Sequence, residues 1–162
     1  SAIYHERETL KGEKIKWLQA SASMPLVSKI IKIEDNLLLD GGIADSIPIK
    51  KMQELGFEKN IVILTQEAGY RKNPNSLLPI IKLVYKKYPK LIEAIENRHI
   101  IYNQQLEFLE EQEKLGNVII IRPSEKPTAS RTEKDKEKIL ETYNLGKKDA
   151  LSIIKNIIEY TN

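Results

Sequence analysis

Two short runs constrain this chain most, Ile61-Val62-Ile63-Leu64 and Val118-Ile119-Ile120-Ile121. Both are continuously apolar and rich in β-branched residues, the pattern of strands buried on both faces of a sheet. Helical patterning fills the sequence around them, and strands alternating with helices argue for an α/β fold, a small central sheet covered by helices. The two runs are expected to be neighbouring interior strands. Two or three strands are few for a complete α/β enzyme, so further strands are expected upstream.

Other signals set out the remaining order. Residues 13–20 carry Ile15, Trp17 and Leu18 at helical spacing, and Ser21-Ala22-Ser23-Met24-Pro25 closes that helix. Lys29 to Ile33 and Leu37 to Asp40 flank Glu34-Asp35-Asn36, which predicts a β-hairpin. Pro48 suits the first turn of a helix running to about Leu55, with Gly56 as its stop. After a polar loop, Asn75 or Ser76 caps a helix over Leu77 to Tyr88. Pro89 to Leu115 follows as a second helix with a stripe through Leu91, Ile92, Ile95, His99, Tyr102, Leu106 and Leu109. Ser130 and Glu133 form a capping box expected to open another helix, and Leu145-Gly146 is expected to divide it from the last one. With no repeat, low-complexity tract or linker, residues 1–162 read as a single domain.

Composition removes several classes of function. The longest apolar runs are strand-length, whereas a spanning helix needs about 20 apolar residues. Lys and Arg number 26 against 23 Asp and Glu, a charge of +3 without the concentrated basic patch of a nucleic-acid binder. The run Arg131 to Lys138 alternates acid and base, as a solvated helix face does. There is no cysteine, hence no disulfide, thiolate metal site or Cys nucleophile, and a reducing, cytoplasmic setting fits. His5 and His99 are the only histidines and lie far apart, which disfavours a Ser-His-Asp triad or a histidine-rich metal site. Ser1-Ala2 without an initiator methionine reads as an internal start.

Chemistry concentrates at Asp40-Gly41-Gly42. A carboxylate at the end of a strand, beside backbone without side chains, can approach another group closely and serve as a general base. Asp-Gly is equally a common turn dipeptide, and the residues alone leave both readings open. Ser21 and Ser23 read as hydroxyls bonded to backbone at a helix end. Arg71-Lys72 reads as a solvated loop, with contact to a lipid phosphate as the alternative. Trp17, Tyr85, Tyr88 and Tyr102 are core residues or part of an acyl or interface surface.

The order of motifs resembles the patatin-like phospholipase family. It comprises Ala20-Ser21-Ala22-Ser23-Met24-Pro25, a strand ending in Asp40-Gly41-Gly42, and a following Pro48. Val62-Ile63-Leu64-Thr65 leading to Gly69-Tyr70-Arg71-Lys72, then Arg122-Pro123-Ser124, Ser130-Arg131 and Leu145-Gly146, is similar to a bacterial branch of it. The resemblance covers nearly all of the chain from about Lys14.

It implies a three-layer α/β fold and ester hydrolysis by a Ser-Asp dyad, without metal or cofactor. The serine of a Gly-x-Ser-x-Gly elbow attacks the ester carbonyl, the aspartate takes its proton, and a glycine-rich loop stabilises the oxyanion. Carried over by position, the catalytic residue is Asp40, supported by Gly41, Gly42, Ser23, Pro25 and Pro48. None of the seven glycines builds the elbow or the oxyanion loop. Both precede the Ala-Ser motif in the family, so the chain reads as the C-terminal part of a lipid acyl hydrolase and is expected to be inactive alone. Many members have Asn where this chain has Ser46. The expected partners are a lipid or carboxylic ester, the upstream half of the polypeptide and a membrane surface, with no nucleic acid. The competing expectation is a non-catalytic binding or scaffold module that keeps the fold.

Overall fold

The structure is a computed structural model that describes residues 1–4, 15–130 and 132–162. In chain order the elements are α1 (Lys16–Ser21), β1 (Ile31–Ile33), β2 (Asn36–Leu38), a 3-10 turn (Gly41–Ile43), α2 (Ile49–Glu54), β3 (Asn60–Ile63), α3 (Leu78–Val84), α4 (Pro89–Lys114), β4 (Val118–Ile121), α5 (Lys136–Ser152) and α6 (Ile154–Thr161). This is a mixed α/β architecture with two small sheets. No helix among the described residues is long and apolar enough to cross a membrane. His5 and the first two residues of the helix expected over 13–20 lie outside the described residues.

Two compact units form, one of residues 1–48 and 72–105, the other of residues 49–71 and 106–162. In the first, β1 and β2 make the expected antiparallel hairpin, with Ile33 opposite Asn36 and Glu34-Asp35 as the turn. Glu34 has φ 53°, the positive value that such tight hairpin turns demand. Beside the hairpin, Ile43, Ile81, Tyr85 and Ile95 form a core, and Ile30, Leu39 and Leu91 pack against it. Ile81 and Tyr85 are one turn apart on α3, so that face is buried while Ile80, Leu83 and Val84 stay exposed. The Tyr85 hydroxyl accepts the N–H of Leu26 at 2.9 Å, which helps hold Leu26 at φ 66° in the turn after Pro25.

In the second unit β3 and β4 pair in parallel, Asn60 with Val118 through Ile63 with Ile121. They are neighbours, as expected, but not interior strands. Among the described residues the sheet has two strands, and Asn60, Val118 and Ile120 are buried on one face while Ile61 and Ile63 on the other are exposed. A continuous apolar run therefore marks strand here without marking burial on both faces. Leu106 and Leu109, one turn apart on the C-terminal part of α4, are buried, and Leu109 has no exposed surface. Truncating such a residue costs about 2–5 kcal/mol through lost transfer energy and a cavity. The Tyr160 hydroxyl on α6 accepts the Asn60 N–H at 2.9 Å and donates to the Asn117 carbonyl at 2.6 Å, tying the starts of both strands together.

Helix ends follow local chemistry in part. Gly56 and Gly116 adopt φ of 89° and 76°, and bonds from Phe57 N–H to Met52 O and from Asn117 N–H to Gln112 O close α2 and α4. α3 opens with Leu77 at its N-cap and no side-chain cap, Asn75 Oδ1 accepting the Leu77 N–H at 2.9 Å, and it ends at Val84, short of Tyr88. Two further departures lie in the C-terminal helices. The box expected at Ser130 exists as a local turn, with Glu133 Oε2 3.4 Å from the Ser130 N–H, but it opens no helix. Asp135 caps α5 instead, accepting the Glu137 N–H at 2.9 Å. The backbone N–H groups of Asp135, Lys134 and Ser130 converge on Glu133 and hold its carboxyl below the ordinary glutamate range. Nor does Gly146 divide the last helices. One interior glycine costs only about 1 kcal/mol, α5 runs through it, and the break falls at Ile153. Buried Asp149, one turn on, anchors that stretch by accepting the Ser124 N–H at 2.9 Å.

Candidate functional site

Asp40 lies two residues beyond β2, not at its last position as the apolar run suggested. Its N–H donates to the Ser23 carbonyl at 2.8 Å, which joins the Ala-Ser segment to the Asp-Gly-Gly segment through backbone. Its Oδ1 accepts the Gly42 N–H at 2.7 Å and so caps the 3-10 turn. Oδ2 has no hydrogen bond among the described residues.

The glycines here have different roles. A Cβ on Gly42 would come within 3.1 Å of Asp40 Oδ1 and 3.5 Å of an Arg98 terminal nitrogen, so a side chain there would displace that carboxylate by a few tenths of an ångström. A Cβ on Gly41 would meet nothing within 4 Å, and Gly41 lines a cleft.

That cleft, of about 550 Å³, lies within the first unit. Its lining includes the polar residues Asp40 and Ser21, the apolar residues Trp17, Ala20, Leu39, Ile43, Leu91 and Ala94, and the basic residues Lys87 and Lys90. An apolar pocket with a few polar groups is the usual form of a small-ligand site.

Two side chains of α4, seven residues and thus two turns apart, brace the loop after Asp40. Arg98 Nε donates to the Gly42 carbonyl at 2.7 Å, and Ser46 Oγ donates to the same oxygen at 2.6 Å. Gln105 accepts the Ile47 N–H at 3.2 Å through Oε1 and donates to Asp45 Oδ1 through Nε2. The Tyr4 hydroxyl donates to Asp45 Oδ2, so both oxygens of that carboxylate are engaged. Of the two carboxylates, Asp40 keeps an oxygen without a hydrogen bond among the described residues, and Asp45 is a loop anchor. Arg98 and Gln105 were not legible as site residues. The only signal was their spacing on the face of Ile95 and Tyr102.

Ser23 is buried and its hydroxyl donates to the Gln19 carbonyl at 2.7 Å, the backbone bonding expected of it. Ser21 is exposed and lines the cleft. Pro25 sits in the turn after Ser23, and Pro48 immediately precedes α2. His99 is half-buried, its Nδ1 3.0 Å from the Glu96 carbonyl, and lies outside the cleft lining. Tyr85 is core, Trp17 and Tyr88 line the cleft, and the Lys72 ammonium rests over the Tyr102 ring at 4.9 Å. Arg71 pairs with Glu110 at 3.5 Å. No group of His, Cys, Asp and Glu among the described residues could hold a metal ion.

A family model described as a domain of unknown function (DUF6363) matches residues 88–162. The matched stretch takes in α4 with Arg98 and Gln105, β4, α5 and α6, and leaves Asp40 outside it. No curated protein matches the chain.

Proposed function

We propose that this chain supplies the general base, Asp40, of a lipid acyl hydrolase whose Ser-Asp dyad and three-layer fold resemble those of the patatin-like phospholipases. The observation that carries the reading is Asp40 itself: one carboxylate oxygen is fixed by the Gly42 N–H, the other takes no hydrogen bond among the described residues, and the residue lines a cleft with apolar walls. A serine hydroxyl is a weak nucleophile until an adjacent base takes its proton. A carboxylate with one oxygen locked and one open is oriented for that transfer. The pair of donors on the Gly42 carbonyl holds the turn rigid, and general-base catalysis depends on such positioning.

In this reading the nucleophile, the oxyanion loop and the remaining strands of the sheet come from polypeptide upstream of Ile3. The exposed face of Ile61 and Ile63 offers an apolar surface for that half to cover. The 162 residues alone then lack the parts that form and stabilise the acyl intermediate.

The test uses purified protein and short-chain nitrophenyl esters against a buffer blank. The 162 residues alone give no turnover, and the longer polypeptide with the upstream region gives turnover. Hydrolysis by the 162 residues that is lost in Ser21→Ala or Ser23→Ala would contradict this division of labour. An upstream region without Gly-x-Ser-x-Gly and a glycine-rich loop would favour a binding or scaffold module instead.

A further inference from the structure

We infer that the corner between α3 and α4 is a docking surface for an anionic lipid bilayer, set beside the mouth of the Asp40 cleft. Three observations meet there. On α3 the face opposite Ile81 and Tyr85 presents Ile80, Leu83 and Val84, which are 52, 74 and 56% exposed. Immediately after them come Lys86 and Lys87, with Lys90 one turn further along, and all three are exposed. From Ser76 to Ile92 the chain carries four lysines and no acidic residue; Lys82 pairs with Glu96 at 3.0 Å, which leaves Lys86, Lys87 and Lys90 as the basic cluster.

Apolar side chains flanked by lysines suit an interface at which the former enter the acyl boundary and the latter meet phosphate. Tyr88, 36% exposed at the same corner, has the amphipathic ring that favours this depth. The charge complementarity selects a bilayer over an apolar protein partner, because burying three lysines against an apolar surface would leave them unpaired. The corner is also continuous with the cleft, since Lys87, Tyr88, Pro89 and Lys90 belong to both. A bilayer docked here lies at the entrance to the cavity that Asp40 lines. The choice of a lipid partner rests on the acyl-hydrolase reading, but docking requires no turnover and is measured without it.

The experiment is sedimentation of the 162-residue chain with phosphatidylcholine vesicles, with and without phosphatidylglycerol, at low and high salt. The expected result is binding that depends on phosphatidylglycerol and is lost at high salt. Neutralising a lysine near an anionic surface lowers the partition coefficient about fivefold, so Lys86→Ala with Lys87→Ala gives a loss of about 25-fold. Leu83→Ser also weakens binding, while Lys147→Ala with Lys148→Ala on α5 does not. Thermal melts accompany each variant, and the exposed lysine pair tests the idea should Leu83→Ser fail to fold. Equal binding to neutral vesicles, no binding, or equal losses from the α5 pair would overturn the inference. So would an α3 face that instead mediates self-association, seen as sedimentation without vesicles that Leu83→Ser abolishes. Vesicle binding without esterase activity in the longer polypeptide would retain the docking surface and remove the catalytic reading.

Discussion

The carbonyl of Ser23 accepts the N–H of Asp40 at 2.8 Å, so two segments separated by a hairpin meet through main chain alone. The hydroxyl of Ser23 donates to the Gln19 carbonyl at 2.7 Å. Its part is to hold the end of α1, and hence the height of Asp40, rather than to attack a substrate. Ser23→Ala removes one buried hydrogen bond, worth about 0.5–1.5 kcal/mol. Thermal melts should show a loss of that size, while any esterase activity measured with the proposed upstream region present should be unchanged. Loss of activity in a variant with an unchanged melt would show that the hydroxyl acts in the reaction.

Arg98 offers a second test of the same loop. Its Nε bond to the Gly42 carbonyl is charge-assisted and half-buried. Arg98→Met keeps much of the side-chain volume and removes the donor, at a cost of about 1.5–3 kcal/mol. The expected outcome is a lower melting temperature together with a lower kcat and little change in KM, because the base is positioned less well. An unchanged kcat would show that Ser46 alone fixes the turn.

How much of this was legible depended on the range of the interactions. The hairpin, the stops at Gly56 and Gly116 and the break at Pro89 are local, and neighbouring residues announce them. Capping was harder, because Ser130 and Asp135 both satisfy the chemistry of a cap and only the path of the loop selects Asp135. The intrinsic cost of Gly146 in a helix is visible in sequence, whereas the hydrogen bond from Ser124 to Asp149 that anchors the helix one turn on is not. The exposure of β3 is hidden in sequence for the same reason: whether anything covers Ile61 and Ile63 is a matter of tertiary structure. At the site, Asp40 and its glycines were readable from one motif. Arg98 and Gln105, 56 and 60 residues from the atoms they bind, had no local signal.

Glu133 gives a pH-dependent readout away from the cleft. Backbone N–H groups, that of Asp135 foremost, depress its folded-state pKa. A depressed carboxylate contributes stability that is present above the unfolded value and lost as pH falls through the folded one. Carbon NMR titration should therefore place the Glu133 carboxyl below ordinary glutamate, and the Lys134 and Asp135 amide shifts should follow the same transition. Glu133→Gln should remove that transition from both amides. A titration at or above the ordinary glutamate value would contradict the turn geometry.

The open face of the parallel sheet leads to an association test. Ile61 and Ile63 are 41 and 72% exposed, and exposed apolar strands pair or aggregate. Light scattering across a concentration series should rise for the 162-residue chain and fall for Ile61→Ser with Ile63→Ser. A wild-type chain that stays monomeric at high concentration would contradict this.

The proposal that Asp40 is the base is tested most directly by kcat/KM for ester hydrolysis, comparing wild type with Asp40→Asn in a polypeptide that includes the proposed upstream nucleophile. Asparagine keeps an oxygen to accept the Gly42 N–H and suits the turn, so the melting temperature should hardly change. It lacks the charge and basicity needed to take the serine proton, and removing a positioned base costs roughly 10²–10⁴-fold in rate. The expected result is that loss with the fold intact, and no comparable loss in Asp45→Asn. A folded Asp40→Asn protein with kcat/KM close to wild type would contradict the assignment.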